Sequence, residues 1–371
     1  MKNIVNLGNV ATYINGYAFK PSDWAEDGTP IIRIQDLTGN SYQMNRFKGI
    51  VDSKYDVNSG DVLISWSASL GVYVWNRGNA VLNQHIFKVV FDKEEVDKDF
   101  FVFQIDNLLK RAANQAHGAT MRHLTKPVFD ALPFYLPDIK TQRLISSKLN
   151  LIVHLIEDHH EQLKKLDELI RSRFLEMFGE PWVNDKEFPC YSVGQVAESV
   201  TYGTSAPASD SGQYEYLRMN NLTDNGQLDL SDLKRIDMSD EQAEKYMVKK
   251  GDILFNRTNS IDLVGKTALF NLNNPMIIAG YLIRIRLSDK VNPVYFVAYM
   301  NMPYMKEKLR NIAKGAVNQA NINSKELKSI QILIPPLSLQ NEYCNFVLSI
   351  DKSKYREAIF LYLLEDVLHM L

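Results

Sequence analysis

The chain is poor in cysteine, in net charge and in long apolar runs. Only Cys190 and Cys344 occur among 371 residues, and no spacing pairs them. Neither a disulfide scaffold nor a thiolate zinc site is expected, and a reducing compartment is the plain reading. Lysine and arginine total 42 against 44 acidic residues, a formal charge of -2. That balance removes a global positive field for phosphate while leaving room for a local basic groove. Asn and Gly interrupt the opening MKNIVNLGNVATYINGYAF, so it forms no compact secretory block. The closing IFLYLLEDVLHML is too short and too acidic to span a bilayer. A cytoplasmic protein with no membrane partner is expected.

Catalytic signatures are equally scarce. The chain has no GxxxxGKS or GxxxxGKT, no HExxH, no GxSxG and no GxGxxG. The His159-His160 pair lies in a helical stretch and is expected to face solvent, while His117 and His123 flank a turn beside Arg122 with no carboxylate between them. Asn292-Pro293-Val294-Tyr295 echoes the amine-holding pocket of base methyltransferases, but it lacks the second proline and is read as a helix start. A non-catalytic chain without a metal site is the expectation.

What is present is a repeat at roughly half the chain length. LGNVATYI, PIIRIQDLTG, GDVLISWSASLGVYVW and HGATMRHLTKPVFDALPFYLPDIKTQ are matched in order by VGQVAESV, YEYLRMNNLTDNG, GDILFNRTNSIDLVGKTALF and KGAVNQANINSKELKSIQILIPPLSLQ. A helical pattern follows each set. The offset drifts only from 185 residues (Arg33 to Arg218) to 198 (Gln142 to Gln340). Within each copy, short β-branched runs alternate with Gly- and Asn-rich turns, and helices are expected around Phe100–Arg111 and Pro293–Arg310. This predicts an α+β domain, duplicated.

The first helical pattern places Ile145, Leu149, Ile152, Ile156, Leu163, Leu166, Ile170 and Met177 at 4-3 spacing, with His159 and Arg173 on the same track. The second puts Val347, Ile350, Leu361, Leu364, Leu368 and Leu371 on a comparable stripe, weakened at Lys354 and Glu357. Two such seams cover each other best by packing together, antiparallel if the flanking domains sit at opposite ends; docking of each helix on its own domain is the alternative.

Binding chemistry concentrates in the loops. Segment 245–290 carries eight basic residues against three acidic ones, net +5, around a loop holding Asn256, Arg257, Thr258, Asn259 and Ser260, followed by Lys266. These side chains suit base edges and phosphates. The matching loop of the first copy offers Ser65, Trp66, Ser67, Ser69 and Arg77. Both loops read equally well as ordinary surface connections. Arg33, Gln35 and Asp36 correspond to Arg218, Asn220 and Asn221, where the arginines are alternatively buried ion-pair partners. His117 to Arg122 corresponds to Lys314 to Gln319, including Asn318, around a shared Gly-Ala.

Taken together, the GDVLIS and GDILFN, IRIQDL and LRMNNL, Gly-Ala and LPDIKTQ/PPLSLQ matches resemble the specificity subunits of type I restriction-modification systems, over essentially the whole chain. The resemblance implies a first target-recognition domain at 1–139, a spacer helix at 140–180, a second target-recognition domain at 181–337 and a distal helix at 338–371. The helices would form an antiparallel coiled coil. It also implies double-stranded DNA as ligand, read as two half-sites of a bipartite asymmetric site. The implied partners are two methyltransferase subunits, which hold S-adenosylmethionine, and restriction–translocase subunits, which use ATP and Mg2+; no cofactor sits on the chain itself. The rival readings are a two-domain adaptor with no DNA role and a specificity module of another restriction type.

Overall fold

The computed structural model describes residues 3–40, 43–115, 125–316 and 319–370. It contains two compact units, Met1–Asp158 with Tyr362–Leu371, and His159–Leu361. The division falls inside the two long helices, so each unit takes a mixed α+β domain together with a stretch of each helix.

In the first unit, strands β1 (Ile4–Asn6), β2 (Thr12–Asn15), β3 (Thr29–Ile32), β4 (Arg46–Phe47), β5 (Asp56–Val57), β6 (Val62–Ser65), β7 (Gly71–Val74), β8 (Ala80–Leu82) and β9 (Ile86–Val90) precede helix α1 (Lys98–Gln115). Strand β10 (Pro133–Tyr135) and helix α2 (Ile139–Phe178) follow. The strands assemble as β2-β9-β6-β7, β4-β3-β8-β5 and the pair β1-β10.

The second unit repeats this plan. Its strands are β11 (Cys190–Ser192), β12 (Ala197–Tyr202), β13 (Tyr214–Leu217), β14 (Lys234–Ile236), β15 (Met247–Val248), β16 (Ile253–Asn256), β17 (Thr258–Asn259), β18 (Thr267–Leu269), β19 (Met276–Ile278) and β20 (Leu282–Leu287). Then come helices α3 (Pro293–Asn301) and α4 (Pro303–Ile312), strands β21 (Lys314–Ala316), β22 (Gln319–Asn321) and β23 (Gln331–Leu333), and helix α5 (Leu337–Met370). The sheets are β12-β20-β16-β18, β14-β13-β19-β15 and β11-β23, the same orders as in the first unit, plus β17-β22-β21. Even the parallel pairings, β3 with β8 and β13 with β19, correspond.

The central strands explain why GDVLIS and GDILFN recur. Every residue of β6 and of β16 is buried. Val62 and Ile64 enter one apolar cluster with Phe87 and Phe101, while Leu63 enters another with Ile32 and Trp75. Ile253 and Phe255 against Leu254 divide in the same way. Alternation therefore serves two cores at once, and the strand reads as a continuous apolar run. The turn before each strand is built alike. Gly60 and Gly251 sit at φ +99 and +97, which a side chain would strain, and the following Asp61 and Asp252 accept from the amides of Asn58 and Lys249 at 2.9 Å.

Other repeated residues are equally structural. Gly16 and Gly203 follow β2 and β12, where an added Cβ would lie 2.0 Å from the Asn83 carbonyl oxygen and 2.2 Å from that of Ala279. Gln142 and Gln340 are buried in the first turns of α2 and α5. Gln142 accepts from the Asp97 amide at 2.9 Å and donates to the Pro137 carbonyl at 2.8 Å; Gln340 accepts from Asn292 and donates to Pro335, both at 2.8 Å. Each glutamine thus ties its helix to the domain before it.

Two expectations are corrected. The helix expected over Pro293–Arg310 is broken at Met302, which Pro303 drives to an extended conformation (φ -61, ψ 144), and α4 restarts after it. Asn292 caps α3, accepting from the Val294 amide at 2.9 Å, so the Asn-Pro-Val-Tyr stretch is a helix start. His159 does not face solvent: it is hydrogen-bonded to Glu357 and stacked on Phe360 at 5.7 Å.

That contact belongs to an antiparallel pairing of 159–178 with 337–361 inside the second unit. Lys354 bonds Asp167, Arg173 bonds Glu342 at 2.9 Å, and Tyr343 packs edge-on against Phe174 and Phe178. The weak points of the apolar stripe, Lys354 and Glu357, are where polar pairs cross. Beside them, burial raises the Asp351 carboxyl above its ordinary range. Leu149 and Val347 are buried. Ile145, Ile152, Ile156, Leu163, Leu166, Ile170, Ile350, Leu361, Leu364 and Leu368 are each partly buried.

Candidate nucleic-acid interface

In the second unit, β17-β22-β21 draws together segments far apart in the chain. Thr258 pairs with Asn321, Asn259 with Ala320 and Lys314 with Asn321. The 256–260 loop and residues 314–316 and 319–321 therefore form one surface. Gly315, at φ +119, would place a Cβ 2.3 Å from the Gln319 carbonyl, so the turn requires glycine. Gln319 and Lys314 are exposed, the latter paired with Glu326 at 2.7 Å. Asn259 is half-buried. Asn256 and Thr258 are buried, with Thr258 Oγ1 donating to Asn321 Oδ1 at 3.0 Å. His117, Arg122 and Asn318 lie outside the described residues.

Arg257 stands at the centre of this surface. Its amide donates to Tyr281 at 2.9 Å, its carbonyl accepts from Ile322 at 2.8 Å, and its guanidinium lies 5.0 Å over the Tyr202 ring. Lys266 is tied to Asp224 at 3.1 Å. Pairing with Asp224 offsets one charge of the segment's net +5, and two of its arginines are engaged within the fold. Arg286 makes a two-pronged pair with Asp252 at 2.8 Å, and buried Arg284 donates to the Met247 carbonyl. Burial lowers the Arg284 guanidinium below its ordinary value. Lys266 lies inside the basic segment and its partner Asp224 outside it.

The strand-end arginines divide. Arg218 donates to Asp232 at 2.7 Å and is an ion-pair partner, whereas Arg33 donates to Gln35 Oε1 at 2.9 Å and lies 5.2 Å over the exposed Trp24 ring. Asp36 and Asn221 are buried caps that accept from the amides of Arg33 and Arg218 at 2.8 Å. Asn221 also donates to the Asp229 carbonyl at 2.8 Å, so its amide faces the fold, while Asn220 is exposed. In the first unit Ser67 is buried and Ser69 exposed, with the Ser69 carbonyl accepting from Ser65. Arg77 is exposed 5.6 Å over the Trp75 ring, and Trp66 Nε1 donates to Asn15 Oδ1 at 3.2 Å.

One correspondence was invisible to residue type. The Trp66 amide donates to the His85 carbonyl as the Arg257 amide does to Tyr281, each across the loop joining β8 to β9 or β19 to β20. Each side chain then meets the last residue of the outer strand, Asn15 or Tyr202. Counting one residue beyond each GD-strand motif finds the pair.

Among the described residues no group of histidines, cysteines or carboxylates could hold a metal, and no helix is long and apolar enough to cross a membrane. Two copies of one α+β domain, each presenting polar and aromatic side chains at equivalent strand ends, define a two-headed recognition protein. The family model for the type I restriction modification DNA specificity domain matches residues 2–168 and 186–357, and the chain belongs to that family. The EcoBI specificity subunit of Escherichia coli is 24% identical over 91% of this chain and 77% of its own length. The MjaVIII specificity subunit of Methanocaldococcus jannaschii is 22% identical over 96% and 88%. Two solved structures share the fold. One, described as revealing complex assembly and conformational transition of the type I R-M system, has a TM-score of 0.62 at 15% identity, covering 99% of this chain and 95% of its own. The S subunit from M. genitalium has 0.53 at 12%, covering 99% and 94%. The role that follows is sequence-specific DNA recognition, without catalysis by this subunit.

Proposed function

We propose that the two domains read the two halves of a bipartite, asymmetric DNA site, and that α2 and α5 pair as an antiparallel coiled coil fixing the gap between them. The observation that carries this reading is the duplicated topology with unlike side chains at equivalent positions, Trp66 against Arg257 and Asn15 against Tyr202. One scaffold holding different readers suits an asymmetric target. Arg33, Gln35, Trp66, Ser69, Arg77, Arg218, Asn220, Arg257, Asn259, Lys266, Lys314 and Gln319 are the accessible or partly accessible candidates among the described residues. Asn221, Asn256 and Thr258 support them from within.

The stripe of Ile145, Leu149, Ile152, Ile156, Leu163, Leu166 and Ile170 against Val347, Ile350, Leu361, Leu364 and Leu368 supports the coiled coil, as do the crossed pairs at Asp167 and Arg173. With a chain this close to neutral, electrostatic attraction to phosphate is weak. Two methyltransferase subunits would close the complex around DNA and supply S-adenosylmethionine, and restriction subunits would supply ATP- and Mg2+-dependent chemistry. Mapping methylated sites in cells with and without this gene, with the neighbouring methyltransferase present, tests the reading. Loss of methylation at one bipartite motif is the expected result. Unchanged methylation, with no methyltransferase captured by the purified chain, would favour the adaptor reading.

A further inference from the structure

The partly buried arginines of the second unit show an unequal distribution of partners. Arg173, Arg218, Arg235, Arg284 and Arg286 each donate to a carboxylate or a carbonyl. The Arg257 guanidinium makes no hydrogen bond or ion pair among the described residues; its buried Nε lacks an acceptor, as do those of Arg173, Arg218 and Arg284, but those three bond through their terminal nitrogens and Arg257 does not. Its terminal nitrogens reach the surface, where they are open to an outside acceptor.

Its mount is rigid. The peptide on either side is tied to Tyr281 and Ile322, and the aromatic platform beneath it is fixed because the Tyr202 hydroxyl accepts from the Ser324 amide at 2.7 Å. Preorganisation of this kind suits a planar, two-pronged acceptor. The equivalent slot of the first domain holds opposite chemistry. Trp66 has its only side-chain donor bonded to Asn15, and its ring is stacked on Phe87 at 5.6 Å with His85 edge-on at 5.0 Å.

We propose that the residue immediately after the central strand is the base-reading position of both domains. In the second it takes the O6/N7 acceptor pair of a guanine through Arg257 on its Tyr202 platform, and in the first Trp66 offers an apolar ring suited to a thymine methyl. This rests on the recognition role above and assigns the chemistry of one position in each half-site. The competing acceptor for Arg257 is a backbone phosphate, which carries no base information.

The test maps methylated motifs in cells that express the full complex with wild-type chain, Arg257→Ala, Arg257→Lys or Trp66→Ala, with thermal melts of the purified complexes alongside. Both Arg257 variants are expected to reduce methylation of the wild-type motif about ten- to hundredfold and to relax one guanine of one half-site, leaving the other half-site intact. Trp66→Ala is expected to relax one thymine position of the opposite half-site. Should Arg257→Ala fail to fold, Arg257→Lys still decides, because lysine keeps the charge and loses the fork. Full motif fidelity in Arg257→Lys, with Arg257→Ala weakening all sites evenly, would assign Arg257 to phosphate and overturn the guanine reading. A motif that depends on the wild-type chain yet survives both substitutions would overturn the slot alone; no chain-dependent motif at all would overturn the recognition role beneath it.

Discussion

The two domains agree at several residues that hold the backbone and differ at several side chains that reach outward. Gly16 and Gly203, Gly60-Asp61 and Gly251-Asp252, and Gln142 and Gln340 make matching close approaches, turns and clamps. Asn15 against Tyr202, Trp66 against Arg257, and His85 against Tyr281 occupy matching places with unlike chemistry. On the proposed reading, recognition diverges on a fixed scaffold because the candidate reader positions lie at strand ends, although Trp66 still packs on the first unit's core through Phe87.

The largest effect should come from breaking the shared scaffold. Gly16→Val drives a side chain into the Asn83 carbonyl and should cost the first domain about 3 kcal/mol or more. Gly203→Val should do the same in the second domain against Ala279. A thermal melt of each variant should show one transition lowered and the other kept.

Gln142→Ala and Gln340→Ala each leave a partly buried amide donor without its acceptor, at Asp97 and Asn292, and should cost about 1 kcal/mol apiece in urea denaturation. Unequal losses would show that the two helix clamps are not equivalent.

An effect of similar size, set by pH, distinguishes the second unit. Burial pushes the Lys306 amine, which donates to the Gly265 carbonyl at 3.0 Å, down to about 8 from 10.5. Between those values the unfolded chain binds a proton that the folded one lacks, so stability contributed by this group rises with pH across that window. Lys306→Met should remove a rise on the order of 1–2 kcal/mol between pH 8 and 10, read as the difference between the two proteins in urea. Smallest of all, Lys314→Ala breaks a pair between an exposed lysine and the partly buried Glu326 and should shift stability by less than about 1 kcal/mol.

Much of the fold was legible because its repeated motifs are local devices. A glycine at positive φ, an aspartate closing its own turn and a doubly buried strand leave marks within six residues, and the duplication follows from finding them twice. The site was legible only in part. The residue types at 256–260 were suggestive, but β22 arrives from more than sixty residues away to cover Thr258, and Asn256 and Asn221 turn inward. The basic segment overstated its free charge by one, because Asp224, the partner of Lys266, lies beyond its edge. His159 read as solvent-facing from its neighbour His160, whereas the partner that holds it, Glu357, is on the other long helix.

The central claim, two independent readers on a measuring strut, is tested most directly by removing one heptad from each of α2 and α5 and mapping the methylated motif. Seven residues shorten a helix by about 10 Å, roughly three base pairs of duplex, and nearly preserve its facing stripe. The account predicts both half-sites unchanged and a gap shorter by about three base pairs. An unchanged gap, or altered half-site bases at the original gap, would contradict it.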